Sequence, residues 1–227
     1  MAIFIVRNGF ENMDDIARRP LSGLMHLAAA LAAVVGSVVL IVVGGTSLMK
    51  IVALSVYGVS LIFLFGSSSA YHLIKAGPER IARLRKLDHA AIYGLIAGSY
   101  TPICAIMFVG FWRWGFLAII WSLAVLGIIV KMFIIKAPRW LTAGVYVFLG
   151  WLSLVAAGEA KRALPAGALI GLGIGGLIYT IGAVIYITQK LDFFPGKFGF
   201  HEVWHVFVIL AALAHYITIA VYIAPAG

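Results

Sequence analysis

A chain of 227 residues that is 63% hydrophobic and 11% charged, with a mean hydropathy of +1.09, lies far outside the water-soluble range of about half apolar and a quarter charged. It reads as a polytopic membrane protein. The net charge of +9 is distributed between apolar segments, where orientation in a membrane accounts for it and nucleic acid drops out as a partner, and the single cysteine, Cys104, excludes a disulfide framework or a cysteine metal cluster.

About twenty apolar residues cross the hydrocarbon layer as a helix. Residues 1–20 are mixed in character and are expected to form a cytoplasmic segment. The first apolar run is too long for a signal-peptide core, so it is read as a retained span. Seven such runs follow one another, at roughly 21–45, 50–75, 87–109, 112–135, 140–158, 165–188 and 203–224. Residues 21–227 therefore predict one all-α domain, a seven-helix transmembrane bundle with short polar connections.

Basic residues alternate between the two ends of these spans, thirteen on the side of Arg7, Arg18 and Arg19 and four on the other. That bias predicts the N-terminus in the cytoplasm and the C-terminus outside. Between the second and third spans, 78-PERIARLRK-86 is turn-led and basic and is expected to lie along the inner surface. The glycines of 94-GLIAG-98 and 171-GLGIGG-176 are read as packing seams. Trp112, Trp114, Trp140 and Trp204 fall near span ends, as an interfacial belt requires.

Ionisable groups at membrane depth are costly and each is a functional candidate. With alternating spans, His72 in "GSSSAYHL" comes at the inner end of the second, and Asp88 and His89 in "RKLDHAAIYG" enter at the inner start of the third. His201 and His205 occupy the first two turns of the seventh, so residues from three distant parts of the chain reach one depth. The two histidines of 201-HEVWH-205 are about 40° apart and one turn apart in height, which lets both imidazoles reach one ion. With His72 as third ligand, three neutral imidazoles and an open position suit a catalytic Zn2+, which acidifies a bound water.

Asp88 then stands as a carboxylate that orients the water and accepts its proton, and Ser68, one turn before His72, as a hydroxyl for a substrate carbonyl or the water. Each also has a plainer role, Asp88 as an interfacial acid beside Arg83, Arg85 or Lys86, and Ser68 as a donor to its own helix backbone. Glu202 completes the H-E-x-x-H pattern of metalloproteases but points about 100° from His201, and suits equally a carboxylate at a helix start. His26 and His89 lie near the same end as alternative ligands or neighbours. His215, ten residues past His205, is too deep to share the ion.

The blocks "SSSAYHL", "LDHAAIYGLIAGSYTP" and "FPGKFGFHEVWHVFVILAALAHY", in this order on a seven-span layout, resemble the hemolysin III family. That family is the bacterial branch of the progestin and adipoQ receptor superfamily, which in turn resembles alkaline ceramidases. The resemblance covers essentially the whole chain. It implies zinc on His72, His201 and His205, with Asp88 and Ser68 around the zinc water, a place in the bacterial inner (plasma) membrane, and a membrane lipid as substrate or ligand.

Three functions are consistent with these residues. One is zinc-dependent hydrolysis of a lipid amide entering from the inner leaflet. A second is a non-catalytic membrane-homeostasis sensor, or a hemolysin-like protein, in which zinc is structural and a fourth protein ligand, His89 or Asp88, closes the coordination. The third is an intramembrane metalloprotease with Glu202 as base.

Overall fold

The computed structural model describes residues 19–133, 137–194 and 198–226, so the expected N-terminal segment 1–20 lies almost wholly outside the described residues. Its helices are α1 (Pro20–Gly44), α2 (Leu48–Leu73), α3 (Pro78–Pro102), α4 (Gly110–Phe133), α5 (Arg139–Trp151), α6 (Ala157–Ala163), α7 (Ala166–Thr188) and α8 (Phe200–Thr218). A π-turn, Ile103–Met107, extends α3; a 3-10 turn, Leu152–Ala156, joins α5 to α6 into one span; a second π-turn, Ile219–Ile223, extends α8. Among the described residues the result is seven helical spans long and apolar enough to cross a membrane.

Why these segments pack is legible in α1. Pro20 opens it, where the missing N–H costs nothing. Its buried residues are Ser22 and then Gly23, His26, Ala30, Ala33, Ser37, Leu40 and Gly44, which from Gly23 on are spaced three or four apart, while Leu24, Leu31, Val35 and Val42 are exposed. The helix is thus small and polar inward and bulky outward. In lipid that is the stable arrangement, because association depends on close packing and hydrogen bonds rather than on hiding apolar surface from water.

The closest packing joins α1 to α2, α2 to α3, α3 to α4 and α7 to α8; α5 lies mainly on α7, and α8 returns to α1 to close the bundle. The third span is the most enclosed and is the central post. Chain reversal at its far end uses Gly110 at φ +56°, a left-handed conformation glycine adopts without strain. The expected seams are half correct. A side chain at Gly98 would overlap Ser60, and one at Gly175 would overlap His215, but Gly94 faces open space.

The segment 78–86 forms the first turns of α3, continuous with the span through Pro102. Pro78 at the helix start and Glu79 in the first turn favour initiation there, and nothing between Glu79 and Pro102 breaks the helix. Trp114 and Trp140 are exposed near span ends, whereas Trp204 is partly covered and stacks on Tyr186 at 5.3 Å.

Candidate metal centre

Because the spans alternate, the starts of α1, α3, α5 and α8 and the ends of α2, α4 and α7 share one end of the bundle, here the proximal end. His72 is the penultimate residue of α2, and His201 and His205 occupy the first turns of α8. Their Nε2 atoms converge: His205 to His201 is 3.0 Å and His201 to His72 is 3.4 Å. All three offer a ligand nitrogen within 4.8 Å of the others, and the side chains are 4%, 9% and 4% exposed.

Three converging imidazole nitrogens suit a metal. Two Zn–N bonds of about 2.0–2.1 Å at a tetrahedral angle separate their nitrogens by about 3.3–3.4 Å, which matches the His201–His72 spacing. With the three imidazoles neutral and their protons on Nδ1, three Nε2 lone pairs face one another, and a cation satisfies all three at once. The donor set is compatible with zinc and also with nickel, copper or iron, since imidazole suits each.

His26 on α1 completes a four-histidine stack. Its ring lies 4.0 Å from that of His205 and meets Phe65 edge-on at 5.1 Å. It is buried, and among the described residues neither of its ring nitrogens has a hydrogen-bond partner, nor has Nδ1 of His205. His26 lies outside the group of converging nitrogens. It therefore belongs to the wall around the triad rather than to the ligand set.

Asp88 and Ser68 flank this centre from α3 and α2. The Asp88 carboxylate is half-buried, lies 3.5 Å from Nδ1 of His89, and faces the Ser68 hydroxyl and His72. Ser68 is fully buried one turn from His72. His89 turns away from the triad, its Nδ1 donating to the Arg85 carbonyl at 2.9 Å while its own carbonyl accepts from the Tyr146 hydroxyl at 3.1 Å. His215 sits deep in the α7–α8 seam, where its Nε2 lies 3.2 Å from the Leu172 carbonyl and Tyr179 packs against its ring.

Glu202 has a different office from the one its sequence pattern suggests. Its carboxylate accepts from the Gly199 N–H at 2.9 Å, from Arg19 Nη1 at 2.9 Å and from the Ser22 hydroxyl at 3.2 Å. It caps α8 and ties that helix to the start of α1. Arg19 also lies 5.7 Å from the Phe200 ring, and Arg139 lies 5.3 Å from it, so both cations brace the first turn of α8. Only the neighbour-helix contacts reveal this clamp, since Arg19 and Ser22 are 183 and 180 residues away in sequence.

A seven-span all-helical bundle with a buried histidine triad at one end defines the class: an integral multi-pass membrane protein with a potential metal centre. The profile of the family described as Haemolysin-III related matches residues 15–216. Hemolysin-3 of Bacillus cereus is 37% identical over 177 residues, 77% of each chain. The Hemolysin-3 homolog of Bacillus subtilis (strain 168) is 34% identical over 176 residues, covering 78% of this chain and 79% of that one. More distantly, the Adiponectin receptor protein of Drosophila melanogaster is 31% identical over 178 residues, 70% of this chain and 39% of the receptor. This chain belongs to the haemolysin III family, with relatives in the adiponectin receptor group, and is a multi-pass protein of the bacterial plasma (inner) membrane.

Proposed function

We propose that the protein is a zinc-dependent hydrolase of an amide bond in a membrane lipid, with the proximal end in the cytoplasm and the substrate entering from that leaflet. The observation that carries this reading is the convergence of three Nε2 atoms from α2 and α8 with a carboxylate and a hydroxyl beside them. A zinc ion on His72, His201 and His205 would supply a Lewis acid for the carbonyl and an acidified water. Asp88 is the group suited to take the proton from the attacking water and pass it to the leaving amine, since it lies beside His89 and Ser68 and, among the described residues, pairs with no lysine or arginine. Ser68 donates toward the developing oxyanion. The helix scaffold holds these groups in place, and the buried setting strengthens each polar interaction.

The clamp on Glu202 supports hydrolysis without a protease-type base, because that carboxylate faces α1 and the α8 N-terminus. A second reading draws on the burial of the triad: zinc as a staple between α2 and α8 in a non-catalytic sensor of membrane state. The experiment is elemental mass spectrometry on detergent-purified protein, paired with amide hydrolysis of a lipid panel. About one zinc per chain, lost in the Ala variants of His72, His201 and His205, kept in His215→Ala, and accompanied by turnover that Asp88→Ala abolishes, is the expected result. Zinc binding with no lipid consumed by the folded wild type would leave the staple. A folded wild type without metal would overturn both.

A further inference from the structure

A cluster of cations at the proximal end is used by none of this chemistry. Lys131, in the last turn of α4, is buried, and its ammonium donates to the Thr142 hydroxyl of α5 at 3.0 Å. Arg85 and Lys86 approach from α3, and with His89 the three cations line one small cleft. Among the described residues no carboxylate forms an ion pair with Arg85, Lys86 or Lys131; Glu79 pairs with Arg83, and Asp88 lies against His89.

Burying an ammonium without a counter-charge is unfavourable, and placing a guanidinium beside it adds repulsion. Such an arrangement is stable when an anion joins it. The donors are available: Thr142 uses one of the three N–H groups of Lys131, and the Arg85 guanidinium makes no hydrogen bond among the described residues. The cleft has room for a group about the size of one water. It therefore takes the oxygens of an anionic group whose remainder lies outside. Three donors of positive charge from two helices match a tetrahedral phosphate better than a planar carboxylate, and the place, at the head-group end of α3 and α4, is where phosphates of lipids lie.

We infer that Arg85, Lys86 and Lys131 form a binding site for one phosphate group, carried by an anionic lipid or supplied as free phosphate, separate from the histidine triad. The site orders the α3–α4–α5 junction at the proximal end. It does not depend on a metal or on hydrolysis.

The test is native mass spectrometry of the full chain released from micelles containing phosphatidylglycerol and phosphatidylcholine in equal amounts. Wild type is expected to retain phosphatidylglycerol selectively. An Arg85→Gln/Lys131→Met double variant loses that retention about ten-fold or more, the loss expected when charge-assisted hydrogen bonds to phosphate are removed. Arg113→Gln, at the opposite end, leaves it unchanged. Inorganic phosphate that displaces the lipid at constant ionic strength identifies the phosphate alone as the ligand. Failure of phosphate to displace it, with the variant still defective, assigns the site to the lipid. Equal retention of the two lipids by wild type, or undiminished phosphatidylglycerol on the variant, overturns the inference. Should the double variant aggregate, the half-exposed Arg85→Gln and Lys86→Gln singles decide on the same criterion. Metal content is unchanged in every variant, so this result and that for the triad are separable.

Discussion

Replacing Glu202 tests whether its carboxylate is a clamp or a base. In Glu202→Ala three donors lose their acceptor: the Gly199 N–H, the Ser22 hydroxyl and Arg19 Nη1. Loss of the helix cap costs about 1 kcal/mol, and a buried hydroxyl left unpaired costs about 1 kcal/mol more. The ion pair joins a 4% exposed carboxylate to a 23% exposed guanidinium. Arg19 can recover water, so the pair contributes about 1 kcal/mol rather than the value for a fully enclosed pair. The expected destabilisation of Ala is thus about 3 kcal/mol, and that of Gln, which keeps shape and one acceptor oxygen, about 1 kcal/mol. Unfolding in mixed micelles with increasing dodecyl sulfate, followed by tryptophan fluorescence, measures both. Under the clamp reading Glu202→Gln retains metal and any lipid turnover in full. Equal losses of stability in Gln and Ala, or a Gln variant that holds metal and is inert, would refute it.

Four further outcomes follow from the same geometry. Chelation of the metal should lower stability, and restoring free zinc to 100 times its dissociation constant should return about 2.7 kcal/mol, read as a shift in the thermal midpoint in detergent. Gly98→Leu should destabilise the α2–α3 seam by about 1–3 kcal/mol through overpacking against Ser60, whereas Gly94→Leu, facing open space, should be nearly neutral. Tyr100→Phe removes a hydroxyl bonded to the Leu149 and Gly150 carbonyls at 3.0 and 2.7 Å, and should cost about 1 kcal/mol in the same unfolding assay. Asp88→Asn should keep zinc stoichiometry while abolishing turnover; loss of zinc with it would move Asp88 into the ligand set.

The spans were legible because bilayer thickness imposes a length and hydropathy that no neighbour can override. The triad was legible for a related reason. Strict alternation of spans gives every residue a depth, so His72, His201 and His205 could be brought to one level from sequence distance alone. Depth does not give azimuth. Asp88 and His89 are adjacent, yet one faces Ser68 and the other bonds the Arg85 carbonyl. For 78–86, basic composition describes which medium the segment prefers, while the absence of a break from Glu79 onward makes it the first turns of the third span.

By itself the sequence determined the seven spans, their alternation, and the common depth of the histidines, since each follows from local hydropathy and helix geometry. Only the tertiary structure decided which side chains meet at that depth. Rotation of each helix about its axis is set by close packing of small residues, Ser37 on Gly58 and Ser60 on Gly98, and that rotation placed His26 on His205, Glu202 on Arg19 and Lys131 beside Arg85 and Lys86. Such contacts join residues far apart in sequence, and in lipid the packing of neighbours selects among faces that hydropathy leaves equivalent.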